Sequence, residues 1–445
     1  MFQLADILSY NRPNRFFQSA EDKTFNQPPF PNMDNSFYTR FIQDRLTDAL
    51  SDTPVVLIHG PRQCGKSTLA RIVGDAAGYT YITFDNDVLR AAAEADPVGF
   101  VADLNEKVIL DEVQRVPMLF TSIKSAVDRN RTPGRFILTG STNVLLLPDL
   151  SDSLAGRMEI LRLHPLAQAE LERHRPGFLS ILFQEGFKSA SHQRLGNELV
   201  ERMASGGYPA ALARSHPRRR AIWYRDYVET LVQRDIRHHA RISSLDVLPR
   251  LLMLAAGQTS RLLNVAEMSS PFQLSRPTIR DYLTLLTRIF LLEELPPWYS
   301  NRLSRLIKTP KLHIGDTGVA CSLLGVDAVS LSADRPLLGQ LLETFVFQEL
   351  RRQASWQEAP ISFFHFRDKD GVQVDIILES DGRRLAGIEI KASATVTSAD
   401  FRGLRKLQES VEDRFAAGVV LYDGESAVSF GPGLYAVPIR CLWDL

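Results

Sequence analysis

The sequence predicts an α/β protein in which a parallel sheet comes first, a helical region follows, and a second α/β domain ends the chain. Short apolar runs recur from residue 54 onward, with roughly 25 residues between their starts, which is enough for a crossover helix. Between about residues 195 and 300 the apolar positions recur with the helical period instead. Strand-like runs return from about residue 310.

The early runs are continuous rather than alternating, which is typical of strands buried on both faces of a parallel sheet. They are Val55–Ile58, Tyr79–Phe84, Val108–Leu110, Phe136–Leu138 and Ile160–Leu161. We therefore divide the 445 residues into a loose extension (1–34), a parallel-sheet domain (35–195), a helical region (196–305) and a C-terminal α/β domain (306–445). Amphipathic patterning begins just after Met33, which makes this residue a candidate for the true start of the chain.

Composition and charge exclude several classes of protein. Lys plus Arg and Asp plus Glu both total 52, so the chain is neutral and is not a generally basic nucleic-acid binder, although a local basic patch remains open. The 3 cysteines form no CxxC pair, which excludes a disulfide scaffold and a cysteine zinc site and agrees with a reducing cytosol. The sequence contains neither a long apolar run nor a signal-peptide layout, so we expect a cytoplasmic protein without a membrane partner.

The strongest signal is the segment GPRQCGKS at 60–67, which follows the first apolar run and precedes a predicted helix. It matches the phosphate-binding pattern GxxxxGK[ST]. Its glycines let the backbone N–H groups face a phosphate, and the helix adds its positive end. In this pattern Lys66 reaches the β- and γ-phosphates and Ser67 binds Mg²⁺. The residues expected to bind ATP here are Gly60, Pro61, Arg62, Gln63, Cys64, Gly65, Lys66, Ser67 and Thr68.

Two later strands end in residues suited to nucleotide hydrolysis. A strand beside the first one would place Asp111 near Mg²⁺ and leave Glu112 to polarise the attacking water, the alternative being a strand end capped by acids. Ser141 and Asn143 follow the next strand, where either could sense the γ-phosphate or simply form a turn. Arg157 could act as an arginine finger, although a surface arginine is the commoner case.

Together these motifs resemble a bacterial and archaeal family of AAA-type ATPases fused to a C-terminal domain of uncharacterised role. The resemblance covers about residues 35–400 and implies a P-loop NTPase domain with ATP binding and hydrolysis. Because AAA-type sites often lie between subunits, a homo-oligomer is a further expectation. The segments that carry the resemblance are GPRQCGK (60–66), DEVQRVP (111–117), LTGS (138–141), LAGR (154–157), GGYP (206–209), YRDYVETLVQRDI (224–236), SRPTIRDYL (275–283), DTG (316–318), FRDKDGVQVD (366–375) and IEIKAS (388–393).

Residues 248–298 resemble a winged helix-turn-helix. Ser275 can cap the third helix, Pro277 suits its first turn, and residues 289–295 can follow as a wing strand. Arg276 and Arg280 would face duplex DNA if this helix enters a groove, the alternative being a module for protein contacts.

Two basic stretches could neutralise phosphates or could simply be solvated or paired with acids elsewhere. One has nine arginines and three acids, with Arg202, Arg214, Arg218, Arg219, Arg220, Arg225, Arg234, Arg237 and Arg241; the other has Arg302, Arg305, Lys308 and Lys311.

The C-terminal domain carries the D-x(n)-ExK pattern of restriction-endonuclease-like folds. A hairpin would bring Asp375 together with Glu389 and Lys391, which share a face because a strand has a period of two. Glu343 lies on the apolar side of a predicted helix (338–352), where a carboxylate needs a partner or a metal. We predict that the three carboxylates bind Mg²⁺ while Lys391 orients a water. The alternative is a structural salt-bridge cluster in an inactive nuclease fold. Asp316 suits the N-cap of a helix at 317–324 better than a metal site.

The sequence thus predicts an ATPase that uses ATP and Mg²⁺, with Lys66 and Glu112 as catalytic residues and Asp111 as a metal ligand. Two roles for the remaining chain stay open. In the first, the nucleotide state controls a DNA-binding or nuclease-like module with Asp375, Glu389 and Lys391 as its catalytic residues. In the second, the chain is a regulatory switch that binds a protein partner.

Overall fold

The computed structural model of the protein describes residues 38–142, 154–184, 186–233, 246–299, 309–380 and 383–445. Within them, Arg40–Leu445 packs as one compact unit. Several predictions lie outside the described residues: the extension 1–34 with Met33, the candidate sensor Asn143, and the basic residues Arg234, Arg237, Arg241, Arg302, Arg305 and Lys308. Among the helices that are described, none is both long and apolar enough to cross a membrane.

The first sheet has five parallel strands. They are β1 (Val55–His59), β2 (Thr80–Thr83), β3 (Val108–Asp111), β4 (Phe136–Gly140) and β5 (Met158–Arg162). Their order across the sheet is β2-β3-β4-β1-β5, and β1, β3 and β4 are buried along their whole length. We expected β3 beside β1, but β4 lies between them, so this prediction is wrong. The apolar pattern of a strand buried on both faces does not indicate which strand pairs with it.

Helices flank this sheet and connect its strands. They are α1 (Gln43–Asp52), α2 (Lys66–Ala76), α3 (Asp87–Ala95), α4 (Pro97–Ala102) and α5 (Leu119–Arg129). Local sequence explains where α3 and α4 begin. The side chain of Asn86 accepts hydrogen bonds from the first turn of α3, and that of Asp96 accepts one from the first turn of α4. Such caps satisfy amides that have no partner within the helix.

Residues 168–231 continue as helices, with one very short strand among them. The elements are α6 (Gln168–Glu172), α7 (Phe178–Phe183), β6 (Ala190–Ser191), α8 (Asn197–Ser205), α9 (Pro209–Leu212) and α10 (Pro217–Leu231). Proline occupies the first turn of both α9 and α10, where the missing N–H would have had no helical partner.

The next elements form a small module of helices and a three-stranded sheet. They are α11 (Val247–Gly257), β7 (Arg261–Leu262), α12 (Val265–Ser269), α13 (Arg276–Arg288), β8 (Leu292–Leu295) and β9 (Lys311–Ile314). The strands are antiparallel in the order β7-β9-β8. The cap predicted for α13 is confirmed, since Ser275 Oγ accepts from the N–H of Thr278 and Pro277 lies in the first turn. Strand β9, which we assigned to the C-terminal domain, pairs within this module.

The C-terminal part contains a seven-stranded mixed sheet. Three helices lead into it: α14 (Thr317–Leu324), α15 (Ala328–Ala333) and α16 (Arg335–Ser355). Next come β10 (Ile361–Arg367), β11 (Gln373–Ser380), β12 (Leu385–Lys391), α17 (Arg402–Val411), β13 (Phe415–Tyr422), β14 (Ser426–Gly431), β15 (Leu434–Pro438) and α18 (Cys441–Asp444). The order is β10-β11-β12-β13-β15-β14-β6, with β11 antiparallel to both β10 and β12, and with β12 parallel to β13. The predicted hairpin of β11 and β12 is confirmed.

The helical region and the C-terminal part share one hydrophobic core. A single cluster of buried side chains extends from Ala169 to Trp443. Two glycines of the segment GGYP show how closely the helical region and the C-terminal part approach each other. A Cβ on Gly206 would lie 2.2 Å from a carboxylate oxygen of Asp316, and the N–H of Gly207 donates to Asp316 Oδ2 over 2.9 Å. Asp316 also caps α14, as predicted, by accepting from the N–H of Gly318.

Candidate functional site

The segment Gly60–Ser67 consists of a tight loop between β1 and α2 and the first two residues of α2. The shape of the loop depends on two glycines. Gly60 has φ +154° and Gly65 has φ +102°. Residues with a Cβ rarely adopt backbone angles in this range. At Gly60 a Cβ would also lie 2.1 Å from the carbonyl oxygen of Leu163. The buried Lys66 turns back over the loop and donates from Nζ to the carbonyl of Pro61 over 2.8 Å. Its ammonium therefore lies within the loop.

Residues distant in sequence hold this loop in place. Arg40 donates from Nη1 to the carbonyl of Cys64 over 2.7 Å and pairs through Nε with Glu170 Oε1 at 3.0 Å. The hydroxyl of Tyr227, on α10, donates to the carbonyl of Arg62 over 3.1 Å. Sequence reasoning missed Arg40, Glu170 and Tyr227. The resemblance does include Tyr227 in one of its motifs, but no pattern indicated that it contacts the loop.

One residue of the loop, Cys64, packs into the interior of the protein. The Cys64 side chain is fully buried, and burial raises the pKa of its thiol. A protonated, buried thiol is chemically inert, so the Cys64 side chain serves the packing of the loop rather than its chemistry.

Asp111 lies at the end of β3 and is surrounded by hydroxyl groups. Its Oδ1 accepts from Ser67 Oγ over 2.6 Å and from Thr139 Oγ1 over 2.5 Å. Its Oδ2 accepts from Tyr81 over 2.8 Å and from Thr83 over 3.4 Å. The structure thus brings Ser67 and Asp111 together as predicted, although β1, which precedes Ser67, and β3, which ends at Asp111, are not neighbours. Oxygen ligands of this kind suit Mg²⁺, which usually takes one or two protein oxygens and completes its shell with water and substrate phosphates.

Glu112 follows directly and has a left-handed backbone conformation, with φ 58°. Its Oε2 accepts hydrogen bonds from Ser141 Oγ over 2.8 Å and from the amide of Gln114. Burial raises the pKa of Glu112, but Lys66, Arg62 and these hydrogen bonds outweigh it, so the pKa lies below its ordinary value. The carboxylate is therefore ionised at neutral pH, as a residue that orients a water must be. Gln114 was missed because nothing in its spacing distinguishes it.

Arg157 is held away from the loop within its own chain. Its guanidinium donates to both oxygens of Asp128, over 2.6 and 3.2 Å. It precedes β5, whose first residue pairs with Val55 at the start of β1. The phosphate-binding loop follows the other end of β1. Arg157 therefore lies at the opposite end of the strands from the loop, as a surface arginine paired with an acid.

The C-terminal carboxylates converge on a lysine that was not predicted to be there. Lys311 Nζ contacts Glu343 Oε1 at 2.7 Å and Asp375 Oδ1 at 3.3 Å. Glu389 Oε1 instead accepts from Lys391 Nζ over 2.9 Å. Lys311 belongs to the second basic stretch, for which pairing with acids elsewhere was one of the interpretations left open; it is buried. No group of three Asp, Glu, His or Cys side chains in the described ranges is arranged to hold a metal ion.

A second ion-pair cluster joins three parts of the fold. Glu293, on β8, accepts from Arg162 of β5 over 3.0 and 3.1 Å. It also pairs with Arg351 of α16 at 2.6 Å. Burial raises the pKa of Glu293, but the two arginines outweigh it and lower the pKa to about 2. This contact was not predicted, because its members are distant in sequence; Arg162 and Glu293, for example, are 131 residues apart.

The basic stretches are only partly free at the surface. Arg202 pairs with Glu172 and Glu198, both at 2.5 Å, so it is neutralised by acids, as one of the two interpretations allowed. Exposed arginines remain on α10 and at the start of α13. They are Arg218, Arg219, Arg225, Arg276 and Arg280.

Comparison with family models agrees with the first part of this description. A family model described as an AAA domain matches residues 52–172. Models described as domains of unknown function, DUF8612 and DUF4143, match residues 196–330 and 338–442. Solved structures with similarity include the Walker-type ATPase PABY2304 of Pyrococcus abyssi, with 16% identity, 63% of this chain and 94% of that chain covered, and a TM-score of 0.40. The RuvB Holliday junction branch migration motor of Thermotoga maritima has 17% identity, covers 57% and 89%, and has a TM-score of 0.25.

Two mycobacterial relatives extend over most of the chain. They are uncharacterized proteins of Mycobacterium bovis and of Mycobacterium tuberculosis. Each is 30% identical over 396 residues, which covers 88% of this chain and 82% of the relative. The chain belongs to the family of these mycobacterial proteins, and it carries an AAA-type P-loop ATPase domain.

Proposed function

We propose that the protein binds ATP with Mg²⁺ and hydrolyses it to ADP and phosphate. The observation that carries this proposal is the convergence of Lys66, Ser67 and Asp111 at the end of the loop, with the ionised Glu112 next to them. The AAA domain match over the same residues supports it.

Each residue has a distinct task in this proposal. The N–H groups of residues 62–65 and of the start of α2 bind the phosphates, and Lys66 adds positive charge next to them. Ser67 and Asp111 hold Mg²⁺, which supplies the positive charge that phosphoryl transfer requires. Glu112 orients the attacking water. Ser141, which donates to Glu112, would sense the γ-phosphate from this position.

We further propose that the nucleotide state is coupled to a DNA-binding or nuclease-like module. The order helix, strand, helix, helix, strand, strand over residues 247–314 supports a winged helix, and the exposed Arg276 and Arg280 support a phosphate-binding face. In the C-terminal part, a helix, three antiparallel strands, a helix and a parallel strand support a restriction-endonuclease-like fold. The contact of Tyr227 with the loop offers a route of coupling between the nucleotide and the helices.

The second candidate function is a regulatory switch that binds a protein partner, with a nuclease fold that is inactive. The pairing of Glu343 and Asp375 with Lys311 favours it, because both carboxylates already contact the same ammonium. The neutral charge of the whole chain agrees with it as well.

Steady-state ATP hydrolysis with and without duplex DNA tests both proposals. Lys66→Ala serves as the blank, and Lys107→Ala, which alters an exposed lysine, serves as the matched control. We expect hydrolysis by the unaltered protein and by Lys107→Ala alone. A rate raised several-fold by DNA supports the DNA-coupled machine, whereas a rate indifferent to DNA supports the partner-controlled switch. Hydrolysis that persists in Lys66→Ala would contradict the assigned site.

A further inference from the structure

The ammonium of Lys311 lies deep in the C-terminal carboxylate cluster but belongs to another part of the fold. Its side chain is 7% exposed, and those of Glu343 and Asp375 are 13% and 8% exposed. Lys311 is supplied by β9, the central strand of the three-stranded sheet, where it pairs with Leu262 on one side and with Leu295 on the other. Glu343 comes from α16 and Asp375 from β11. Lys311 therefore connects the small module to the C-terminal sheet.

The contacts of the cluster leave little capacity for another cation. Asp375 Oδ1 faces Lys311 at 3.3 Å, and its Oδ2 accepts from the N–H of Ile390 over 3.1 Å. Glu343 Oε1 faces the same ammonium at 2.7 Å. Glu389 is paired with Lys391 instead. Each carboxylate that a divalent ion would need thus already contacts an ammonium group.

We propose that the Lys311 ammonium takes the place of a divalent cation between Glu343 and Asp375, so that this cluster binds no metal while the small module is docked. The contact is then an internal block on the nuclease-like cluster. Withdrawal of β9 would be required before the carboxylates could bind a metal. This inference does not depend on ATP hydrolysis.

Electrostatics favours the ammonium in this position. Burial lowers the pKa of Lys311, but Glu343 and Asp375 outweigh it, so the pKa lies above its ordinary value and the side chain is charged at neutral pH. A charge removed from water is stable only when its partners are close and its hydrogen bonds are satisfied. Lys311 has both carboxylates close by and donates two hydrogen bonds to them, one to each of two different elements.

Binding of Mn²⁺ to the nucleotide-free full chain, followed by electron paramagnetic resonance, tests the proposal. The variants are Asp375→Asn, Lys311→Met and the double variant Lys311→Met with Asp375→Asn. Methionine keeps the apolar stem of lysine but removes its charge. Lys311→Arg keeps the charge and is the matched control. Any Mn²⁺ bound near Ser67 and Asp111 is common to all variants and cancels in the comparison.

We expect the unaltered protein and Asp375→Asn to bind the same amount of Mn²⁺. Lys311→Met should gain an additional Mn²⁺ site that the double variant lacks, and Lys311→Arg should gain none. The proposal is overturned if Asp375→Asn removes a Mn²⁺ site from the unaltered protein, because a metal would then coexist with Lys311. It is equally overturned if folded Lys311→Met, judged by circular dichroism, gains no site. If Lys311→Met does not fold, Lys311→Gln replaces it under the same criteria.

Discussion

The hydroxyl of Ser67 donates a hydrogen bond to Oδ1 of Asp111 over 2.6 Å, across 44 residues of sequence. Ser67 comes after β1 and Asp111 is the last residue of β3, and these two strands are separated by β4. Thr139, on β4, donates to the same oxygen and bridges the gap. The two halves of the proposed Mg²⁺ site are therefore in direct contact within the fold.

Replacing Glu112 by glutamine should abolish turnover without preventing ATP binding. Glutamine keeps the size of the side chain but cannot orient the water as a carboxylate does, so we expect turnover to fall by about 10²–10⁴-fold. Steady-state hydrolysis and titration with a fluorescent ATP analogue measure the two effects. The exposed Glu106→Gln is the control. Normal turnover in Glu112→Gln would remove this residue from its proposed role.

Removing the Tyr81 hydroxyl should weaken the binding of Mg²⁺ more than the binding of ATP. Its hydroxyl donates to Asp111 Oδ2 over 2.8 Å and so orients the carboxylate whose other oxygen faces Ser67. For Tyr81→Phe we expect the Mg²⁺ concentration that gives half-maximal hydrolysis to rise by about 10-fold, since partners of a metal ligand typically have effects of this size.

Nucleotide binding without metal should be nearly unchanged in Tyr81→Phe. The matched control is Tyr79→Phe, because the Tyr79 hydroxyl donates to the carbonyl of Gly134, away from Asp111. Equal Mg²⁺ dependence in the two variants would show that Tyr81 does not position the ligand.

Glu293 should be a major determinant of stability. Glu293→Gln leaves Arg162 and Arg351 without their shared carboxylate, and breaking a buried ion pair on one side costs about 3–5 kcal/mol. Urea unfolding measures the loss. The neighbouring Glu294→Gln alters an exposed residue of the same strand and should change stability by less than about 0.5 kcal/mol. Similar losses of stability in both variants would show that the ion pairs of Glu293 with Arg162 and Arg351 are not a major determinant of stability.

Buried histidines should make the protein less stable in mild acid. Burial, with Lys311 nearby, lowers the pKa of His313 from its ordinary 6.5 to about 3. In the unfolded chain this histidine takes up a proton near pH 6.5, whereas in the folded protein it remains neutral until about pH 3. The free energy of unfolding is therefore fully retained above pH 6.5 and falls as the pH decreases through this window, by up to about 1.4 kcal/mol per pH unit for this group.

Urea unfolding at pH 7 and pH 5 should show this effect as a difference between variants. We expect His313→Asn to lose less stability between the two pH values than the unaltered protein does. The exposed His216→Asn is the control and should behave like the unaltered protein. An unchanged pH dependence in His313→Asn would show that this histidine is not kept neutral by the fold.

The sequence by itself determined the nature of the ATPase domain and most of its strands. Gly60–Ser67 could be recognised because a phosphate-binding loop depends on the local order of glycines, a lysine and a hydroxyl, all within one short segment. Asp111 and Glu112 could be recognised because they end an apolar run, which is again a local pattern. The cap of α13 and the hairpin of β11 and β12 were likewise predicted from neighbouring residues.

Tertiary structure alone decided how distant groups meet. It inserted β4 between β1 and β3, placed Arg40 and Tyr227 on the loop, and brought Glu293 to its two arginines. It also put Lys311 where the pattern of acids indicated a metal. The physical reason is that charge and hydroxyl partners are selected by proximity in space. A carboxylate needs a cation, but its own sequence surroundings do not specify whether that cation is a metal ion or a lysine from another strand.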